Sequence, residues 1–347
     1  MSTGLDVSVQ CSICRRRCSI QVGEVGFCRT RRNVKGRLRS LVFGQLAALE
    51  SRPIEIKPFF HFYPGSTALT YCSHSCNLRC RWCQNWRLSR ADPVHVHTEY
   101  VSPQDLVDRA IHVGDQGLCC SFTEPTLLHE YNLAAFPLAK AAGLYTCYVS
   151  NGYMTLHTLR ELHAAGLDAI KIDVKGDAGV YRQYCNAPHG EMVWETAAAA
   201  KAMGLHVEIV NLVVTGVNDS EVALRDLVHR HLESVGPETP LHFTRYHPAH
   251  EMHAASTPIH TLERAYGWAR QAGVAYPYLG NVPGHPAENT YCPTCGQLLI
   301  ERFSYRVRRM ILMPLDKCPS CGRGILLSGR HSGVPDSSRM DPLVWHV

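Results

Sequence analysis

Short apolar runs alternate with longer amphipathic stretches over most of this chain, and the rhythm predicts its elements. Seven runs read as strands: Thr67-Cys72, Leu118-Phe122, Leu144-Ser150, Ala169-Val174, Val207-Val214, Leu241-Tyr246 and Ala275-Gly280. Helical patterns lie between them. One runs from Ser102 through Val113, with Ser102 as N-cap and Pro103 at the first helical position; Thr155 through Ala165 and Thr261 through Ala272 are similar. Strand and helix in alternation argue for parallel βαβ units rather than hairpins, and so for an α/β fold. Seven units make a partial (β/α)6-type barrel with one extra strand, whose ligands sit at the C-terminal strand ends. Ahead of the barrel, Leu41 to Ala48 predicts a strand, and Arg52 to Pro58 an extended, Pro-punctuated lead-in. The expected organisation is an N-terminal four-cysteine knuckle and lead-in over 1–64, the barrel over 65–287, a ribbon over 288–325 and a flexible tail over 326–347.

Bulk properties narrow the class. With 347 residues and 45% hydrophobic content the chain can bury a sizeable core. No segment approaches the ~18 consecutive apolar residues of a membrane span, and the start, MSTGLDVSVQ, lacks a basic segment followed by an apolar run. The expectation is a cytoplasmic protein with no membrane partner. Nine of its Lys and Arg residues lie between Cys11 and Ser40 against the single acid Glu24. Such a patch can meet RNA, but without interleaved aromatics a solvated rim around a metal knuckle is the stronger reading.

The chemistry lies in the cysteines. Eleven of the sixteen fall into three clusters with metal-ligand spacing, which fits reduced, metal-holding thiols better than a disulfide framework. Cys76, Cys80 and Cys83 form C-x3-C-x2-C, with Trp82 directly before the third thiol. Three thiolates are one short of a closed zinc site, and they leave the fourth iron of a cubane open. The alternative is a zinc knuckle that borrows His74 or a distant residue. Cys11, Cys14, Cys18 and Cys28 can close around one metal, either zinc or a second iron–sulfur cluster, with zinc the simpler reading. Cys292, Cys295, Cys318 and Cys321 stand in two CPxCG knuckles around a strand-rich segment and read as a zinc ribbon.

The C-x3-C-x2-C array resembles the signature of the radical S-adenosylmethionine (radical SAM) superfamily. There the open iron takes the amino and carboxylate groups of SAM, and reductive C–S cleavage gives a 5'-deoxyadenosyl radical. Strand-end residues then acquire cofactor duties: Glu124 can accept from the methionine ammonium, Asn151 can contact ribose or carboxylate, and Asp173 with Lys175 can set the electrostatics. The likeness goes further in Cys76 to Asn85, in C-x2-C-x3-C with Gly-x2-Gly-x-Cys, in Pro53-Ile54-Glu55, in Phe60-His61-Phe62 with Pro64-Gly65-Ser66, and in Gly280 to His285. Together these resemble the radical SAM component of the AmmeMemoRadiSam system, a relative of the pyruvate formate-lyase activating enzymes, over Cys11 to Gly322.

That resemblance implies the cluster ligands Cys76, Cys80 and Cys83, and SAM contacts from Trp82, Thr123, Glu124, Ser150, Asn151, Asp173, Lys175 and His247. Thr123-Glu124-Pro125 stands for the activases' Gly-Gly-Glu-Pro, Ser150-Asn151-Gly152 for Thr-Asn-Gly, Asp173-Val174-Lys175 for Asp-Leu-Lys, and Tyr246-His247 for Tyr-His. Two departures stand out: Phe122-Thr123 replaces glycines, and Val149 replaces an acid. Arg245, Asn281 and His285, at strand ends of the same mouth, are the expected contacts to a polar or anionic substrate that the sequence does not identify. Of the five remaining cysteines, Cys72, Cys119, Cys120 and Cys147 read as small buried hydrophobes, while Cys185 reads as a loop residue able to face the site. The implied cofactors are a [4Fe-4S] cluster, SAM and zinc. The implied partners are an electron donor such as flavodoxin or ferredoxin, and Memo-like and other proteins of the same system. Two other readings stay open, a glycyl-radical-enzyme activating enzyme and an RNA-modifying radical SAM enzyme. Against the first, Gln84 to Cys120 carries no ferredoxin-like cysteine insert.

Overall fold

The computed structural model describes residues 8–96 and 98–329. Its centre is an eight-stranded sheet whose strands lie side by side in chain order. Ala48–Pro53 forms one edge and pairs antiparallel with Thr67–Cys72. Gly117–Cys120, Tyr145–Ser150, Ala169–Asp173, His206–Val213, Leu241–Arg245 and Pro277–Gly280 then add in parallel. All seven expected strands form, with ends moved by at most two residues. The two outermost strands stand at opposite ends of the order, so the sheet is an open, partial barrel.

Two of the three expected helices start at the expected caps, and the third starts after Pro258, with no side-chain cap, ahead of the expected Thr261. Pro103–Val113 opens with a reciprocal capping box between Ser102 and Asp105 and closes at Gly114, whose φ of 76° suits a residue without Cβ. Thr155 accepts from Thr158 N to start Leu156–Ala165, and Ile259–Gln271 covers the last expected helix. Helices and strands share one large core that includes Leu118, Tyr148, Ile170, Phe243 and Leu162. Strand residues of the opposite parity face inward, where Ala68, Cys119, Cys147 and Ala169 pack on Phe59 and Phe62. Cys119 and Cys120 therefore point to opposite faces, and both are fully buried, as is Cys147.

The N-terminal region departs from the sequence reading. Leu41 to Ala48 is not a strand, because the chain turns at Gly44 with φ 72°, where a Cβ would lie 2.3 Å from the Tyr100 ring. The edge strand begins only at Ala48, and the lead-in folds into a 3-10 turn at Ile54–Ile56. A hairpin of Arg31–Val34 with Arg37–Ser40 was not legible, since four of its eight residues are arginines without apolar alternation.

At the N-terminal end of the barrel the buried Glu208 accepts from His61 N at 2.8 Å and meets His206 Nε2 at 2.9 Å and His242 Nε2 at 2.7 Å. The ribbon closes the same region, with Leu299, Ile300 and Cys292 packed on Phe60, Tyr276 and Tyr278. Ser328 N donates to His61 O and Ser328 O accepts from Tyr63 N, each at 2.8 Å, so the first residues of the expected tail are tied to the fold. The rest of that tail, 330–347, lies outside the described residues.

Candidate functional site

The first parallel strand, Thr67–Cys72, runs directly into the three-cysteine loop at its C-terminal end. Apolar anchors hold the loop: Leu78 is 2% exposed, and Trp82, 4% exposed, packs on Tyr184 at 5.8 Å between ring centroids. Polar ties fix its backbone, with Arg79 Nη1 donating to Cys76 O at 2.6 Å and Arg90 Nη2 to Cys80 O at 3.1 Å. Leu78 N points at Cys76 Sγ at 3.4 Å, and Ser89 Oγ lies 3.3 Å from Cys83 Sγ. Burial, then Glu124 and Cys80, pushes the Cys76 thiol up; Cys80 is raised first by its hydrogen bond with Cys185 and then by burial. Burial also raises Cys83. Bound metal reverses this, because a coordinating thiol is deprotonated outright.

The three thiols influence one another, yet their sulfurs do not crowd to single-ion distances. Among the described residues, Cys292, Cys295, Cys318 and Cys321 are the one group of three or more such ligands lying within 4.8 Å of one another. Three thiols on one short loop, not drawn together at single-ion distances, suit a polynuclear iron–sulfur group. The residues present fit the cluster that the motif implies.

The next strand ends meet this loop. Glu124 is 2% exposed, and its carboxylate accepts from Thr126 N at 3.1 Å, Ser150 Oγ at 2.8 Å, Asn151 N at 2.8 Å and the Thr126 hydroxyl. Burial raises its pKa against those donors. Asn151 Nδ2 donates to Asn77 Oδ1 at 2.8 Å and stands 3.9 Å from Cys76 Sγ, so Asn151 and the cysteine loop are one structure. Thr123 Oγ1 donates to Ser73 O at 2.8 Å. Phe122 sits at φ 61°, a left-handed conformation that costs a non-glycine residue and that glycine adopts freely. Its ring lies under Lys57 Nζ at 4.1 Å, and its carbonyl accepts from Asn85 Nδ2 at 2.8 Å.

Asp173 meets Lys171 Nζ at 2.8 Å and Lys175 Nζ at 3.8 Å. Burial favours the neutral acid, but the two lysines outweigh it and hold Asp173 below the usual carboxylate range. Lys175 is pushed up despite its burial, by Asp173 and then by Cys80 and Cys185. Lys171 escaped the sequence reading, although its place two residues before Asp173 puts both on one face of the strand. Cys185, expected in a loop and able to face the site, is instead the buried last residue of Ala178–Cys185, and its carbonyl accepts from Arg79 N of the cysteine loop at 2.8 Å.

The proposed substrate residues are partly committed elsewhere. Asn281 Nδ2 donates to Arg245 O at 3.0 Å and its Oδ1 accepts from Tyr305 OH at 2.6 Å, a joint between barrel and ribbon. His285 accepts from Ala287 N at 3.1 Å to cap a 3-10 turn and meets Glu263 at 3.3 Å. His247 is exposed beside Ser256 Oγ at 3.0 Å. Arg245 donates Nε to Thr257 O at 2.9 Å. Part of the basic N-terminal stretch is paired within the chain: Arg31, 2% exposed, grips Glu130 at 2.9 and 2.6 Å, Arg15 meets Glu195 at 3.2 Å, and the exposed Arg29 pairs with Asp92.

In the ribbon, Cys292 Sγ lies 3.5 Å from Cys321 Sγ, and Cys295 Sγ 3.6 Å from Cys318 Sγ. The two knuckles are copies: Gly296 N bonds Cys292 O and Gly322 N bonds Cys318 O, each at 2.9 Å, with both glycines at φ 74°. This four-cysteine group could bind a metal ion.

Residues 70–228 match the family described as the radical SAM superfamily. The chain belongs to that superfamily, a class of enzymes whose membership implies SAM and an iron–sulfur cluster. It is 39% identical over 322 residues to an uncharacterized protein of Methanocaldococcus jannaschii, covering 92% of this chain and 96% of that one. Among solved structures it is similar to a domain of a pyruvate-formate lyase-activating enzyme from Bacteroides vulgatus, at 17% identity and TM-score 0.42 over 48% of this chain and 99% of that one. It is also similar to Streptococcus suis SuiB bound to S-adenosylmethionine, at 14% identity and TM-score 0.45 over 61% of this chain and 46% of that one. No described helix is long and apolar enough to cross a membrane.

Proposed function

We propose that this chain holds a [4Fe-4S] cluster on Cys76, Cys80 and Cys83 with SAM beside it, and uses the pair to abstract a hydrogen atom from a substrate. The reading rests above all on the three thiols gathered at the end of the first parallel strand and tied through Asn77 to Asn151. When bound, the cluster supplies the electron that cleaves SAM to methionine and the 5'-deoxyadenosyl radical. Three protein thiolates leave one iron for the SAM amino and carboxylate groups. Glu124 orients Ser150 and Asn151 at that edge and adds a negative charge for the ammonium. Asp173 and its two lysines fix a charge set on neighbouring strand ends. Trp82, Thr123 and His247 are the other proposed SAM contacts, and Arg245, with Asn281 and His285 in lesser part, remains the proposed anchor for a polar or anionic substrate.

At the ribbon we assign zinc, because four thiolates 3.5 to 3.6 Å apart in pairs match tetrahedral S4. An electron donor of flavodoxin or ferredoxin type, Memo-like proteins of an AmmeMemoRadiSam system and a cytoplasmic location complete the proposal.

The test is anaerobic reconstitution with iron, sulfide, reductant and SAM, followed by product analysis. The wild-type chain yields 5'-deoxyadenosine, and Cys80→Ala yields none. A Cys80→Ala chain that cleaves SAM at the wild-type rate removes the central assignment.

A further inference from the structure

The N-terminal thiols differ from the ribbon's in a way that decides their metal. Cys11, Cys14, Cys18 and Cys28, with Arg31 and Asn77, line a partly enclosed cavity with room for a water-sized sphere. A zinc ion at ~2.3 Å from four sulfurs holds them about 3.8 Å apart and leaves no such room. The ribbon obeys that geometry, but among the N-terminal cysteines no three sulfurs lie within 4.8 Å of one another. They still converge, since Cys11, Cys14, Cys18 and Cys28 all line this one cavity. Four inward thiols around a void wider than an ion fit a cubane, in which each iron takes one thiolate.

A second observation points the same way. The buried Asn77 Nδ2 has no hydrogen-bond partner, and Asn77 lines this cavity. Such a donor suits a cluster sulfur, and hydrogen bonds of this kind tune cluster potentials. Asn77 also adjoins Cys76, whose Sγ is 3.8 Å from its Oδ1. The knuckle is docked at the barrel mouth, with Arg15 N bonded to Tyr153 O at 3.0 Å and Thr155 N to Ile13 O at 3.1 Å.

We propose that Cys11, Cys14, Cys18 and Cys28 hold a second iron–sulfur cluster that relays electrons through Asn77 to the Cys76 loop. One electron enters from a reduced flavodoxin-type donor, which is oxidised; the N-terminal cluster is reduced and then reoxidised as it passes that electron on, with no bond or proton moved. The relay rests on the radical SAM reading of the triad, whereas the second cluster does not.

The experiment uses the full chain reconstituted anaerobically, read by iron, sulfide and zinc content and by electron paramagnetic resonance. The triple variant Cys76→Ala, Cys80→Ala, Cys83→Ala retains about four irons per chain and a reducible cluster signal. A variant Cys11→Ser with Cys18→Ser, its fold checked by circular dichroism, keeps the triad's cluster but reduces it several-fold more slowly with flavodoxin. If the triple variant holds no iron and two zinc ions per chain, the knuckle is a zinc site and the proposal is overturned, whatever the fate of SAM cleavage. An unchanged reduction rate in a folded double variant overturns the relay.

Discussion

The Glu124 carboxylate gathers protons from two hydroxyls and two backbone amides while almost wholly out of water. Replacing one oxygen by an NH2 group leaves at least one buried donor facing another donor. Glu124→Gln should therefore cost about 1–3 kcal/mol of stability and weaken SAM binding together, measured by denaturant titration and by equilibrium dialysis with labelled SAM. A variant matching wild type in both would show that Glu124 neither organises this edge nor meets the ammonium.

Buried histidines make a separate residue-scale case. His61, between Tyr278 OH at 2.7 Å and Leu326 O at 2.8 Å, has its pKa lowered to about 4, chiefly by burial. His231 is lowered to about 3 for the same reason. Both are neutral in the fold, and the unfolded chain takes up their protons below pH about 6.5, so it binds more protons there. Stability is then full above pH about 6.5 and falls as the pH drops toward 4, by on the order of 3 kcal/mol per histidine. His61→Gln with His231→Gln should show a shallower loss between pH 7 and 4.5 than wild type; equal slopes would refute the account.

At the scale of elements, the ribbon is joined to the barrel by specific bonds as well as by apolar packing. Arg302 donates to Phe60 O at 2.7 Å and to Thr290 Oγ1 at 2.7 Å, and Tyr305 reaches Asn281 beyond the last strand. A closed S4 site contributes several kcal/mol to the segment it folds. Cys318→Ala should lose the ribbon's zinc and lower the thermal midpoint by several degrees, while iron per folded chain stays at the wild-type value. Iron lost in proportion to zinc would mean that the ribbon supports the triad directly. The same joint explains Asn281 and His285: a loop that carries the chain from strand to ribbon uses its polar side chains for backbone caps.

Over the whole molecule, three cysteine sets occupy three positions around one sheet. The ribbon packs on Phe60, Tyr276 and Tyr278 and reaches Asn281 past the last strand, and the triad and the knuckle meet at the C-terminal strand ends. Two of the knuckle's arginines are drawn inward by this docking. Arg16 stacks 3.6 Å over Phe27 and donates to Asn77 O at 3.2 Å, while Arg31 is buried on Glu130. Arg16 and Arg31 thus tie the knuckle to the barrel, while Arg17, Arg29, Lys35, Arg37 and Arg39 of the same basic stretch stay exposed.

The strands, most helix caps, the triad and the ribbon were legible in the sequence because each depends on neighbours close in the chain. Apolar runs set strands, Ser102 and Thr155 set helix starts, and CPxCG sets a knuckle whatever surrounds it. What joins distant segments was not legible: the bond of Asn151 to Asn77, the bond of Arg79 to Cys185, the pairing of Lys171 with Asp173 beside Lys175, and the burial of Glu208 among three histidines. Nor could spacing choose between zinc and iron at the N-terminal cysteines. That choice depends on how far apart four sulfurs come to rest, and packing against the barrel mouth, rather than the intervals between the cysteines, sets that distance.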